Sequence, residues 1–323
     1  MKRKVIIDCD PGIDDSLALI LALNSPELDI VGITVVSGNV EAKQGAKNAL
    51  KVLNLMGRMD IPVYIGEEVP LIRELITAQD THGEDGLGES GYEDVEGKIN
   101  YGAVDFILES ASAGDLSIIA LGPLTNLAKA MMKDVHKFNK IIEVVSMGGT
   151  YKSHGNCSQV AEFNYWVDPH GAKKVFDNIE VPFTMVGLDV TREIVLTPNY
   201  IELIKQIDGK IAKFIVDITR FYVDFHWQQE RTLGCVINDP LAVAYFIDRS
   251  LCSGFKSNID VVEDGVAVGQ TLVDVAGFYK RKDNGLVLTE VDSKKFMSFF
   301  LKRIFPENVG DIDIVLNNTK YGL

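Results

Sequence analysis

The sequence contains no apolar run near the ~18 residues that a membrane-spanning helix needs. It also lacks any cluster of Lys and Arg of the kind that neutralises a phosphate backbone. Its charge leans the other way, with 32 Lys+Arg against 46 Asp+Glu, so 32 − 46 = −14. That balance works against nucleic acid and against an anionic membrane surface alike. Cysteine is scarce: Cys9, Cys157, Cys235 and Cys252 lie far apart with no Cys-x-x-Cys pair, which argues against a zinc site or a redox dithiol. The start, MKRKVIIDCDPG, is basic, but its apolar run is short and ends in acids, unlike a secretory signal. No Pro/Ser linker and no internal repeat divides the chain. The expectation is a reduced, cytoplasmic chain of one domain over 1–323, with 46% hydrophobic residues available for a large core.

What is present is alternation. Apolar runs at 4–7, 30–36, 116–121, 141–147 and 183–188 read as strands, and segments of helical period follow at 14–23, 41–56, 124–132 and 169–176. Strands that are solid apolar runs, each followed by a helix, predict a parallel sheet covered on both faces. The fold class is therefore α/β, doubly wound, with a mostly parallel central sheet flanked by helices. In the last third, 211–227 reads as a long aromatic helix and 240–246 as a helix with Asp239 at its start. Residues 259–289 alternate short apolar runs with Gly and Asp-Gly turns, which predicts a small C-terminal hairpin region. The stretch 81–97 packs five glycines and six acids into seventeen residues, a solvated loop or a lid over a site.

In an open parallel sheet, ligands bind where the strand-to-helix loops converge. Polar or glycine-rich residues recur at that edge: Asp8, Asp10, Asp14 and Asp15 after the first strand, then Ser37-Gly38-Asn39, Gly122 to Asn126, Met147-Gly148-Gly149, and Asp189. The cluster DCDPGIDD at 8–15 puts four carboxylates in eight residues, which repel unless protons or a cation compensate them. Helix capping accounts for Asp14 and Asp15, since acids in a first turn gain ~0.3–1 kcal/mol each. It does not account for Asp10, set before Pro11-Gly12 in a turn. With only oxygen donors at hand, a bound ion would be hard, Ca²⁺ or Mg²⁺. Asp239 is a candidate fourth carboxylate, or a simple N-cap. An EF-hand loop starting at Asp8 would need Glu where Leu19 stands. A haloacid-dehalogenase-type phosphatase would need a later Gly-Asp-x-x-x-Asp pair, which neither Gly114-Asp115 nor Gly310-Asp311 completes.

The ordered motifs DCDPGIDD at 8–15, VSGN at 36–39, HGEDGLG at 82–88, GPLTN at 122–126, MGG at 147–149, GN at 155–156, EFN at 162–164 and NDP at 238–240 resemble the nucleoside hydrolases, the inosine-uridine preferring nucleoside N-ribohydrolases. The resemblance implies a homodimer or homotetramer that hydrolyses ribonucleosides to ribose and free base, with one Ca²⁺ per subunit. It implies that Asp10, Asp15, the Thr125 carbonyl and Asp239 hold the ion, and that Asp14 and Asn39 grip the ribose hydroxyls. Asn156, Glu162 and Asn164 would bind the sugar from the other side, with Met147 and Phe163 packed against it; read alone, Glu162-Phe163-Asn164 is a surface loop. Asp10 would act as base toward the attacking water.

One position departs from the family. Where its best-known members carry His-Asp-Pro, this chain has Asn238-Asp239-Pro240, and Asn cannot supply a proton near neutral pH. Leaving-group help worth ~10²–10⁴-fold is then missing unless another residue gives it. His82 in the glycine-rich loop is one candidate. His226 is the other, sharing a helix face with Tyr222 and Gln229; its alternative is a packed helix residue beside Trp227. A catalytically weak ribose- or nucleoside-binding homologue is the competing reading. Cys9 between acids and Cys235 among apolar residues are expected to be inert.

Overall fold

The structure, a computed structural model, describes residues 2–318. In chain order its strands are β1 (Arg3–Cys9), β2 (Leu28–Val35), β3 (Val63–Ile65), β4 (Ile99–Tyr101), β5 (Leu116–Ala120), β6 (Val144–Met147) and β7 (Phe183–Val186). They continue with β8 (Val195–Leu196), β9 (Cys235–Val236), β10 (Cys252–Ser257), β11 (Ile259–Val261), β12 (Thr271–Val273) and β13 (Gly285–Val291). Nine of them form one sheet in the order β10-β13-β7-β6-β5-β1-β2-β3-β4. All neighbours pair in parallel except β10 with β13.

Strand period explains why the apolar runs are unbroken. Along β1, Val5, Ile7 and Cys9 face one core and Ile6 faces the other, so both sides of the sheet must be greasy. The chain builds outward from β1 through β2, β3 and β4, then returns to β5 on the opposite side and continues to β6 and β7. The sheet thus reverses direction between β1 and β5, and the crevice at their carboxyl ends is where this architecture binds ligands. The doubly wound, mostly parallel sheet expected from the pattern is what the chain forms.

The C-terminal third differs in one respect. β11 and β12 make the expected antiparallel hairpin, but β13 joins the main sheet beside β7 and carries β10 with it. Val287 and Leu288 are buried there. An apolar run shows that a strand will be covered, not which strand covers it. The expected long helix runs over Lys210–Glu230, its buried face made by Ile215, Ile218, Thr219, Tyr222 and His226 at helical spacing. Among the described residues no helix is long and apolar enough to cross a membrane.

Candidate active site

Two helices start side by side at the carboxyl edge of the sheet. Ile13–Leu23 follows β1, and Asp239–Ile247 follows β9 and packs against it. Their first turns bring Asp14, Asp15 and Asp239 together, all buried, with carboxylate oxygens within 4.8 Å of one another. Asp15 does cap its helix, as the simpler reading had it: its Oδ2 accepts from the amide of Gly12 at 3.0 Å and its Oδ1 from that of Asp10 at 3.2 Å. Asn39 Nδ2 also donates to Asp15, at 2.9 Å.

Asp10 lies alongside. Its Oδ2 accepts from the Asn39 amide at 2.7 Å, while its Oδ1 is buried without a partner among the described residues. Two glycines make room for it: a Cβ at Gly38 would collide with Asp10 Oδ2, and one at Gly122 would sit 2.5 Å from Oδ1. Both glycines lie in loops that the sequence placed at this edge. The sequence reading grouped Asp10, Asp15 and Asp239 on one ion and gave Asp14 to the sugar. In the structure carboxylate oxygens of Asp14, Asp15 and Asp239 are mutually close, and the Asp10 side chain meets that of Asp15 beside them.

Electrostatics follow from this crowding. Burial, then the neighbouring Asp15, pushes the Asp10 carboxyl well above the usual range. Burial and Asp14 push Asp15 up to about 7, and burial followed by Asp14 raises Asp239. The charged neighbours that act on them are other carboxylates, so protons or a cation must compensate. An oxygen-only set with an orphaned buried acceptor fits a hard divalent cation. Thr125 opens the helix Thr125–Phe138 next to Gly122; its hydroxyl donates to Asp168 at 2.7 Å, away from the acids. Asp168, which the sequence reading passed over, also takes the amides of Leu71 and Gly171. Behind the cluster Asp8 accepts from Thr34 at 2.5 Å and Asn126 at 2.8 Å, and burial pushes it up to about 7.

Above the acids is a cavity of about 500 Å³. Asp14, Asn39, His82, Met147, Asn156, Glu162, Phe163, Asn164, His226, Asn238 and Asp239 all line it, whereas Asp10, Asp15 and Thr125 are buried and do not. Glu162-Phe163-Asn164 is no surface loop. Glu162 is buried and caps the helix Phe163–Val167, accepting from Asn164 and Tyr165, and from Gly149 at 2.8 Å. Burial still pushes it up to about 7. Asn164 Nδ2 donates to the carbonyls of Leu121 and Met147, and Asn156 Oδ1 accepts from the Phe163 amide.

The opposite wall comes from the helix Lys210–Glu230 and the glycine-rich loop. His82, on the short helix Gln79–His82, is buried, and a Cβ at Gly88 would collide with the carbonyl of Ile218, so that loop lies tight on the long helix. Asp14 Oδ2 accepts from Tyr222 Oη at 3.2 Å and from Asn238 through its amide at 3.3 Å and Nδ2 at 3.1 Å. Burial lowers the pKa of both His82 and His226. At the rim Arg192, missed in the sequence, donates to the Gly155 carbonyl and to Glu230, and stands against His154. Asp189 does not line the cavity; it gathers the amides of Tyr151, Lys152 and Ser153 and so builds the wall. Cys9 and Cys235 are buried, and burial pushes both thiols up.

A family model described as inosine-uridine preferring nucleoside hydrolase matches residues 5–298. The chain is 33% identical over 317 residues to the inosine-uridine preferring nucleoside hydrolase of Crithidia fasciculata, across 96% of this chain and 99% of the relative. It is 34% identical over 299 residues to the pyrimidine-specific ribonucleoside hydrolase RihB of Escherichia coli, across 91% and 95%. Among solved structures, the plant nucleoside hydrolase PpNRh1 superposes with a TM-score of 0.89 at 31% identity, covering 94% of this chain and 99% of that one. A purine-preferring ribonucleoside hydrolase from Gardnerella vaginalis gives 0.88 at 33%, covering 95% and 99%.

Proposed function

Because the chain belongs to the inosine-uridine preferring nucleoside hydrolase family, we propose that it hydrolyses the N-glycosidic bond of ribonucleosides to ribose and free base, using one Ca²⁺ per subunit. The observation that carries this reading is the meeting of Asp10, Asp14, Asp15 and Asp239, all buried, under a cavity walled by Asn39, Glu162 and Asn164. Asp10, Asp15, Asp239 and the Thr125 carbonyl would hold the ion. Calcium suits an all-oxygen shell because it accepts six to eight ligands in flexible geometry, which leaves places for a diol. Once bound, it would fix the ribose 2′- and 3′-hydroxyls and make water easier to deprotonate.

The chain's own groups do the rest. Asp10 Oδ1, buried and without a partner, is the acceptor for the proton of the attacking water. Asp14 and Asn39 take the ribose hydroxyls, and the acids favour positive charge growing on the sugar. Asn156, Glu162 and Asn164 hold the far side, with Met147 and Phe163 in contact. A 2′-deoxynucleoside leaves polar groups unmatched and should react far more slowly.

Incubating calcium-loaded protein with inosine, uridine, cytidine and adenosine and assaying reducing sugar tests the reading; no turnover of any of them defeats it. A second reading, a weakly catalytic nucleoside binder, is favoured by one contact. Asn238 spends its carboxamide nitrogen on Asp14 and has no proton to give. Calorimetric binding without base release would select it. The same proposal takes the chain to be a single catalytic domain, a homodimer or homotetramer, and cytoplasmic; light scattering on the eluted protein reads its mass.

A further inference from the structure

Three rings stand in file along the base-side wall. His82 and Tyr222 have centroids 5.2 Å apart, and Tyr222 and His226 have centroids 4.4 Å apart. Both histidines line the cavity, and neither Nε2 has a protein partner among the described residues. Their Nδ1 atoms, however, are held in opposite ways. His82 Nδ1 lies 3.1 Å from the backbone nitrogen of Ile13, which has only a hydrogen to offer. That Nδ1 is therefore an acceptor, and the ring hydrogen of His82 sits on Nε2. His226 Nδ1 lies 2.8 Å from the carbonyl oxygen of Tyr222, which only accepts. That Nδ1 therefore carries a hydrogen, and Nε2 is the atom that takes up or releases a second proton.

The two rings thus differ in what charging costs them. To become an imidazolium, His82 must place a hydrogen on Nδ1 facing the Ile13 N–H, and a buried hydrogen bond is lost. His226 loses nothing, because the Tyr222 carbonyl accepts more strongly from an imidazolium than from a neutral ring. Gly12 is what admits His82 to the amide, since a Cβ there would come within 2.6 Å of His82 Nδ1.

We propose that His226, through Nε2, gives the proton to the departing base, and that His82 remains a neutral Nε2–H hydrogen-bond donor throughout. The assignment rests on the hydrolase reading above. As the C1′–N bond breaks, its electron pair moves into the base, and the base takes the proton from His226 Nε2. The water oxygen bonds to C1′ while its proton passes to Asp10. Solvent then reprotonates His226 and relieves Asp10, so the net reaction is nucleoside plus water to ribose plus base.

The groups acting on His226 are known from every side. Burial pulls it down, the Tyr222 carbonyl, Glu230 on its own helix and Asp14 across the cavity pull it up, and Arg192 at the rim pushes it down; the rings of Tyr222, Phe225 and His82 stand beside it. His82 faces Asp14, Asp80 and His226. The proton-bearing form of His226 is lost as pH rises, so turnover of a substrate that needs the proton should fall on the alkaline side.

The test uses the calcium-loaded enzyme and two substrates: inosine, and 4-nitrophenyl β-D-ribofuranoside, whose phenolate departs without a proton. His226→Gln should lower kcat for inosine by about 10²-fold or more and abolish the alkaline limb of its pH profile, with a loss at least about tenfold smaller for the nitrophenyl riboside. His82→Gln should keep that limb. Nitrogen NMR of protein labelled at its five histidines should show His82 protonated only at Nε2 throughout, and His226 gaining its second proton as pH falls. Persistence of the alkaline limb in His226→Gln, or titration of His82 while His226 stays neutral, overturns the assignment. Wild-type enzyme that turns over neither substrate defeats the hydrolase reading itself and takes the donor role with it. Nitrophenol release combined with inosine turnover indifferent to His226 defeats the donor role alone.

Discussion

The two ends of the cavity are built by different means. At the acid end, Asp10 in the loop after β1 and Asp15 in the first turn of the helix Ile13–Leu23 are pinned by main-chain amides, with Gly38 and Gly122 closing on Asp10, at the edge of a sheet buried on both faces. At the other end, His82, Tyr222 and His226 stand on one helix face and a glycine-rich loop, each ring held by a single hydrogen bond and by its neighbours. A site that must hold several like charges in one place needs a rigid frame, while a wall that meets the varied part of a substrate can be carried by a helix and a loop. In the proposed reading the sheet edge holds the ion and activates the water, while the wall meets the base and protonates it.

The largest effect should come from the acid end. Asp10→Asn should reduce kcat by about 10³-fold or more while thermal unfolding stays cooperative, measured by base release and circular dichroism. A mild loss would mean that the frame, and not this carboxylate, matters.

Next are the enclosing glycines. Gly122→Ala places a methyl group 2.5 Å from Asp10 Oδ1, so calcium affinity measured by calorimetry should fall at least about tenfold. Unaltered affinity would show that the frame gives way and erase the contrast with the wall.

pH should separate the two ends further. Asp15 is raised in the folded chain to about 7, with Asp10 and Asp239 raised as well, so the stability tied to their neutral forms is present at pH below the unfolded carboxylate range and is lost as pH rises through about 7. Chelator-treated protein should therefore melt lower at pH 8 than at pH 5. Added calcium should raise the melting temperature more at pH 8 than at pH 5. The reverse order in differential scanning calorimetry would contradict the compensation of these acids by a cation.

The smallest effect belongs to Tyr222. Tyr222→Phe deletes one hydrogen bond to Asp14, about 0.5–1.5 kcal/mol, and should lower kcat/KM roughly 2- to 10-fold without changing calcium affinity. A change in affinity would show that the two ends are mechanically joined through Asp14.

Much of the site was legible because the information is local. Apolar runs at β1, β2, β5, β6 and β7 identified strands covered on both faces, and the loops after them gave the edge where Asp10, Asn39, Gly122 and Met147 meet. Other features had no local signal. β3 and β4 are three residues each, too short to show a period. β13 reads as a hairpin strand and pairs with β7, because its pattern shows that it is covered and not by what. Arg192 meets the Gly155 carbonyl and Asp168 the Leu71 amide, partners distant in the chain that no motif marks.

By itself the sequence determined the element types, the sheet edge that carries the polar groups, and the chemical kinds of donor available there, since period, turn chemistry and side-chain identity are properties of short segments. Tertiary structure decided which carboxylates crowd together, that Asn238 and Tyr222 both turn to Asp14 across separations of 224 and 208 residues, and which ring nitrogen of each histidine bears hydrogen. Such facts depend on the partner an atom meets, and the topology of the sheet supplies that partner.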